Sequence, residues 1–437
     1  MPTPDLRPHG PIQPEQIQPE PADVAIVGAG PAGLTLAWKL AQSGLQVVLL
    51  DRDTEPGGVP RHSDHPGYGL RDLHRFMRGP AYARALTERA RNAGALIHTE
   101  ATVTSLNGTT LQVTAPSGRR DITARAIVLA TGCREAPRSA RLIPGSRPRG
   151  IFTTGWLQRA VHLEHQSIGT RAVIIGAEHV SYSAAVTLAE AGCATVAMVT
   201  QRRRADTFLA FQVAAGLRYR FPLLAQSTVI DVLGRTTLEA VHVQRADGSV
   251  QVIACDTLIC TGDWRAENTL ASSAGLLIGA SGGPVIDTQF RTSQPGTFAI
   301  GNLLHPGATA QRCVQDAAYA AASVEHWLSA GDWPSGAQRL ALGAGLSWCS
   351  VASLASSPSA LPPSARPLRA QPTMAPILVE VKERIRRPVF QVTQGGDRVG
   401  QVRRPWAIPT RPTMLPPSLL TNIDPHGPEA ILTVHGA

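Results

Sequence analysis

Three glycines carry the strongest chemical signal in the chain. Gly28, Gly30 and Gly33 form G-x-G-x-x-G, with Pro31 and Ala32 between them, directly after the β-branched run Val24–Val27. Leu34, Ala37, Leu40 and Ala41 follow at helical spacing. Gly28 permits a tight turn from strand to helix. Gly30 has no side chain, so a pyrophosphate can reach the backbone, and Gly33 lets helix and strand pack closely. The helix N-terminus offers N–H groups and a positive dipole end to phosphates. Gly44 ends the helix, Leu45–Leu50 reads as a second buried strand, and Asp51 and Arg52 stand at its tip. A carboxylate there accepts hydrogen bonds from a ribose diol. Strand, glycines, helix, strand and acid, in that order and spacing, predict a dinucleotide-binding unit.

A loop rich in ionisable groups comes next. Gly57 and Gly58 precede Arg61, His62, Asp64, His65, Tyr68, Arg71 and Asp72. It reads equally as the wall of a cofactor or substrate site and as a polar surface loop. A helix is expected over Ala81–Ala95, strands over Ala95–Glu100 and Thr102–Leu106, and a hairpin-like pair over Thr109–Ala115 and Arg119–Thr123. The strand Ala126–Ala130 then ends in Thr131-Gly132, a small residue and a turn suited to a dinucleotide.

A second strand–turn–helix–strand unit begins near Ala172, with altered chemistry. Gly176 keeps the first glycine, but Glu178 takes the second position and Ser181 the third. A carboxylate at the close-approach position blocks the backbone and repels pyrophosphate. Two like charges ~4 Å apart cost several kcal/mol at an effective dielectric near 20. This argues that the unit keeps its fold and has lost its nucleotide. Arg202–Arg204, after the next strand, argue the other way, since a basic residue there pairs with a 2′-phosphate.

Composition bounds these readings. The 437 residues suffice for two or three domains, and the charge of +9 rests on arginine, with Lys39 and Lys382 the only lysines. The arginines are scattered without interleaved aromatics, so no nucleic-acid partner is expected. The six cysteines contain no C-x-x-C, which argues against structural zinc or an iron–sulfur cluster, and no metal site is expected. Cys255 and Cys260 read as buried core thiols. No apolar run approaches the ~18 residues of a membrane span. Residues 1–21 read as a disordered leader without a signal core, which points to the cytoplasm.

Taken together, VGAGPAG at Val27–Gly33, Asp51, Gly57–Gly58, ATG at Ala130–Gly132 and FAIGN at Phe298–Asn302 resemble the two-dinucleotide-binding flavoproteins of the pyridine nucleotide-disulfide oxidoreductase type. The resemblance covers roughly residues 22 to 330. It implies an α/β fold with two nested Rossmann-like dinucleotide-binding domains of the three-layer ββα type. FAD would occupy the first unit and NAD(P)H, where bound, the second. The late motif, Gly301 and Asn302, would touch the flavin phosphate and ribityl chain, with asparagine in place of the usual aspartate. The alanine-rich helix expected over Gln315–Leu328 would aim its N-terminus at the flavin. His305, just beyond the motif, is a candidate proton donor or substrate contact, or a structural histidine; Arg61 and His65 are the other candidates for catalysis. The redox cysteine pair of the family's disulfide reductases is absent from both of its usual places.

GGVPRHSDHPGYGLRD, GPAYAR, GAEHVSYSA and GNLLHP are similar to a bacterial subgroup that includes subunits of opine oxidase, hydrogen cyanide synthase and amine or amino-acid dehydrogenases. That implies a flavin oxidoreductase that takes hydride from an amine, amino acid or hydroxy compound, or relays electrons beside a second flavoprotein subunit. An NAD(P)H-dependent reductase of a partner protein or quinone, and a non-catalytic FAD-binding subunit, are the alternatives. A small-molecule substrate and an oligomer are expected. The expected organisation is an FAD domain at 22–150 and 266–335, a degenerate nucleotide domain at 151–265, an Ala/Ser/Pro linker at 336–376 and a small β module at 377–437.

Overall fold

The computed structural model of the chain describes residues 20–207, 212–213, 216, 218–333, 338–354, 374–409 and 411–436. The expected leader lies outside these, except that the opening strand, Glu20–Val27, already begins within its last two residues. Val24, Ala25 and Ile26 are wholly buried. A continuous apolar run is what a parallel strand needs when both of its faces are covered.

The opening strand pairs in parallel with Val47–Leu50 on one side and with Gly118–Leu129 on the other. Leu96–His98 and Thr297–Ala299 extend the same seven-stranded sheet. The strands expected at Arg119–Thr123 and Ala126–Ala130 are one strand. Its first part alternates exposed and buried residues, and pairs antiparallel with Thr110–Ala115. From Ala126 every residue is buried, because the strand passes between covered faces. The helix Pro31–Gln42 packs against both Gly79–Asn92 and the long helix Ala310–Ala330. The long helix starts five residues before its expected first turn. Arg312 and Asp316 lie on its buried face, and charged residues there interrupt the apolar stripe that marks a helix in sequence.

The chain leaves this domain through Cys133–Glu135 and returns through Trp264–Ala266, and the two short strands pair antiparallel. Between them lies a second parallel sheet. Thr257–Cys260 sits between Ile151–Thr153 and Arg171–Ile175, and Ala194–Val199 follows on the far side of the latter. On one face Ile174 and Met198 pack with Leu157, Tyr182 and Leu188 of two helices. On the other, Val173, Val199 and Leu258 meet Val229, Val241 and Val243 of a three-stranded antiparallel sheet. Helices, parallel sheet and antiparallel sheet make three layers.

The reading of 336–376 as a linker fails for residues 338–354. Gln338–Leu342 pairs with Ala430–Gly436, and Leu346–Cys349 pairs with Ile377–Val381. Leu340, Leu346, Val351 and Leu354 share a core with Val379, Phe390 and Leu432. Small and polar residues between these few apolar positions hid the strand pattern. Residues 355–373 lie outside the described ones. The strands Pro388–Gln394 and Asp397–Arg403 turn on Gly395 and Gly396, both at positive φ, as a two-residue hairpin requires. Among the described residues no helix is long and apolar enough to cross a membrane.

The tightest point of the first domain is Gly33, where a Cβ would stand 1.9 Å from the Gly28 carbonyl oxygen. Backbone cannot yield there as a side chain would. Gly33→Ala is expected to cost at least about 1–3 kcal/mol, the range for overpacking, read as a lowered Tm of the FAD-free protein.

Candidate functional site

A cleft of about 2820 Å³ runs between the two nucleotide-type domains, and Gly28, Gly30, Pro31, Ala32, Asp51 and Arg52 line one end. The helix Pro31–Gln42 starts from Gly30 in extended conformation, with proline in its first turn, no acidic residue there and no side-chain cap. Its first N–H groups are left for a ligand. A Cβ on Gly30 would meet nothing within 4 Å, so the space beside this backbone is open. Gly58, Thr131, Gly132 and Asn302 continue the lining. Gly57 donates its N–H to Ala29 O at 2.8 Å, which folds the following loop onto the glycine turn.

Asp51 does two tasks. Its Oδ2 accepts from Ala29 N at 2.6 Å and its Oδ1 from Asp53 N at 2.9 Å, so the carboxylate braces the turn as well as facing the cleft. Burial pushes its pKa above the ordinary carboxylate value, against the pull of these two bonds. Thr131 Oγ1 donates to Glu267 O at 2.7 Å. Asn302 Nδ2 donates to Ala308 O at 3.0 Å, while its Oδ1 is buried with no hydrogen-bond partner among the described residues. A buried acceptor without a donor is costly. A polyhydroxy chain such as the ribityl of FAD would supply the donor, and the open helix end would supply the phosphate site. The residues present fit FAD.

Of the three candidates for catalysis only His65 lines this cleft. Arg61 is turned away, with Nη2 3.1 Å from Glu55 and Nη1 3.7 Å from Asp53. His305 is 1 % exposed and its Nε2 bonds the carboxylate of Asp316. It faces a small internal cavity shared with Arg312, Ser350 and Pro376, not the cleft. Asp316 also accepts from Gly301 N at 3.2 Å and pairs with Arg312 at 2.7 Å. This buried group, invisible in the sequence because acid, base and glycine are spread over 16 positions of helix and turn, holds the flavin motif from behind.

The second unit is closed where the first is open. Glu178 and Ser181 form a reciprocal capping box at the start of the helix His179–Glu190. Glu178 N donates to Ser181 Oγ at 3.1 Å, and Ser181 Oγ lies 3.0 Å from Glu178 Oε2. A Cβ on Gly176 would come within 2.6 Å of that carboxylate oxygen, so it fills the turn a phosphate would use. Arg202 does not stand free for a 2′-phosphate: its Nε pairs with the buried Asp206 at 3.0 Å. An isolated bridge sets Asp206 beside Glu178.

The sequence did not reveal the third wall. Trp348 and Glu380 of the C-terminal strands, with Lys382 and Arg411 from the segments beside them, line the cleft, as does Arg202. Burial pushes the Glu380 carboxyl up to about 7, against the lowering effects of its hydrogen bond with Trp348 and of the Arg202 charge.

A model of the pyridine nucleotide-disulphide oxidoreductase family matches residues 22–322. The chain belongs to that family. This flavoprotein is 27% identical over 317 residues to the A subunit of opine oxidase from Rhizobium meliloti, covering 64% of this chain and 58% of that one. It is 28% identical over 297 residues to a ferredoxin–NADP reductase of Ralstonia pickettii (strain 12J), covering 65% and 81%. The alpha subunit of sarcosine oxidase from Corynebacterium sp. (strain P-1) matches at 28% over 220 residues, 48% of this chain and 22% of that one. The chain thus spans about 58% of the length of that opine oxidase polypeptide. Thioredoxin reductase of T. acidophilum superposes with a TM-score of 0.58 at 21% identity, covering 70% of this chain and 97% of that one, a likeness of fold. Membership makes the chain an oxidoreductase with FAD as its cofactor.

All six cysteines of the flavoprotein are free. Cys255 and Cys260 are buried core thiols. Cys133, which lines the cleft, has its pKa pushed up to about 12 by burial, and burial likewise raises that of Cys313.

Two measurements follow from this geometry. Gly30→Ala meets open space, so the stability of the FAD-free protein should stay within about 0.5 kcal/mol, while the Kd for FAD, read by flavin fluorescence, rises at least about tenfold. Glu380 binds a proton more tightly folded than unfolded, so it favours folding below about pH 4.5, and this support is lost as pH rises to about 7. Glu380→Gln should therefore raise Tm more at pH 8 than at pH 5.

Proposed function

We propose that the chain oxidises a C–H bond beside an amine nitrogen, or carries the electrons from a partner protein that does. The contrast between the two helix N-termini carries this reading: one is open to a dinucleotide, the other is stoppered by Glu178. Electrons then come from an organic substrate and not from NAD(P)H. The names of two relatives, opine oxidase and sarcosine oxidase, point to the same bond type, and both matches are to subunits of larger oxidases.

FAD, when bound, supplies the acceptor for the hydride equivalent. The chain's own residues bind and orient. The N–H groups after Gly30 would take the pyrophosphate, Asp51 the ribose, and Asn302 Oδ1 a ribityl hydroxyl, while Asp316 keeps the Gly301–Asn302 turn in place. The loop from Gly58 to Asp72 and the C-terminal sheets enclose the substrate. The reading does without a thiol–disulfide relay: burial raises the pKa of the Cys133 and Cys313 thiols, and a thiol reacts as its thiolate.

The second reading is a reductase driven by NAD(P)H, favoured by the match to 81% of a ferredoxin–NADP reductase. One experiment separates the two. The FAD-loaded protein is mixed anaerobically with sarcosine, NADH or NADPH, and the flavin absorbance is followed. Bleaching by the amine, alone or with a co-purified partner, and not by either nucleotide is the expected result. Glu178→Gly should then strengthen NADPH binding. Rapid bleaching of the unmodified protein by NADPH would replace this reading with the reductase.

A further inference from the structure

The loop that walls the cleft holds a hydrogen-bonded pair that binding of FAD does not call for. Ser63 Oγ and His65 Nε2 are 3.0 Å apart, and His65 Nδ1 is 2.9 Å from Pro66 O. A carbonyl oxygen only accepts, so Nδ1 carries the hydrogen. In the neutral ring Nε2 is then the acceptor, and the Ser63 hydroxyl donates to it. Both residues line the cleft.

The pair is held from several sides. Ser63 N donates to Val59 O at 3.2 Å, and a Cβ on Gly79 would come within 2.2 Å of Ser63 O, so the serine backbone has little room to shift. The His65 ring lies 5.4 Å from that of Tyr68, which lies 5.4 Å from that of Tyr82. The Tyr82 hydroxyl is fixed in turn by Asp72. A serine hydroxyl donating to a histidine nitrogen whose other side is pinned to a carbonyl is a prepared proton acceptor.

We propose that Ser63 and His65 form a proton relay that takes the ammonium proton of an amine substrate in the cleft. The proposal rests on the amine reading above. An ammonium nitrogen has no lone pair to support loss of hydride from its neighbouring carbon, so one proton must leave first. The substrate N–H bond breaks and its electron pair stays on nitrogen. The proton joins Ser63 Oγ as the serine's own proton passes to His65 Nε2. One positive charge moves from substrate to imidazole, the Nδ1–H bond to Pro66 O is kept, and no electron is transferred in this step.

The surrounding charges suit that movement. Asp64 faces His65 and stays ionised, its pKa held down by a hydrogen bond from Arg78. His179, from the helix across the cleft, also faces His65, and burial lowers its pKa so that it stays neutral. Burial raises the pKa of the Tyr68 phenol, against the lowering effect of its hydrogen bond with Ser63, so the phenol, a second neighbour of the serine hydroxyl, stays neutral too. An imidazolium at His65 thus meets two neutral side chains and the Asp64 carboxylate, whose charge is shared with the Arg78 guanidinium opposite Pro66.

The test uses the full FAD-loaded chain with two readouts. Nitrogen-15 NMR of labelled histidine should show His65 with its proton on Nδ1, and Ser63→Ala should shift the Nε2 signal. In anaerobic mixing with sarcosine, Ser63→Ala and His65→Gln should slow flavin reduction by about 100-fold or more, the scale of general base catalysis, at unchanged FAD content. The deficit should shrink as pH nears about 10, where an amine loses its proton unaided. Unmoved His65 signals in Ser63→Ala would overturn the hydrogen-bonded pair. Wild-type rates and pH profile in His65→Gln would overturn the relay. Failure of sarcosine to reduce the unmodified protein, with the NMR result as expected, would sink the amine reading and leave the pair without its substrate.

Discussion

Asp316 is the buried charge on which three parts of the molecule lean. It is fully enclosed, which alone would favour its neutral form. Burial pushes its pKa up, but the charges of His305 and Arg312 outweigh that and hold the carboxyl below its ordinary range. One oxygen restrains Gly301 N, at the turn that presents Asn302 to the cleft. Arg312, tied to the same carboxylate, reaches on to Pro376 O at 2.8 Å, in the C-terminal region. Removing one member of such a group strands the others, whereas the complete group fixes one arrangement. The flavin motif, the long helix and the appended sheets are thus registered to one another through a single anion.

The two nucleotide-type units show how little separates a binding site from a filled one. Both have a buried strand, a tight glycine turn and a helix pointing at the same cleft. In the first, Gly30 leaves its space empty. In the second, Glu178 caps its own helix, and Asp206 beside it draws in Arg202. The backbone N–H groups that would greet a phosphate are satisfied internally, so the dipole is spent within the fold.

Much of this was legible in the sequence. The glycines, Asp51 and the strand at Ala126–Ala130 announce themselves by local spacing, because a dinucleotide site is built within one continuous unit. Glu178 is equally legible, since the motif fixes what its position must do. His305 was not: nothing near it in sequence shows that Asp316, a helix turn and more away, draws it inward. Arg61 has the same history, its charge absorbed by Glu55 and Asp53. The strands at 338–354 were hidden because small residues separate the few apolar ones, and a long-range partner, Ala430–Gly436, supplies the pairing. Local chemistry can be read from spacing; which charge ends up facing which depends on packing that only the folded chain reveals.

The family match ends at residue 322, yet the cleft continues onto Trp348, Glu380 and Lys382. The surface that greets an entering molecule is therefore partly made by chain outside the shared architecture. Substitutions in those late strands can reshape the entrance, in volume or in sign of charge, and leave the glycine turn and its dinucleotide undisturbed. Part of the cleft wall and the dinucleotide turn are thus carried on separate pieces of polypeptide, so that part can diversify while the turn stays as it is.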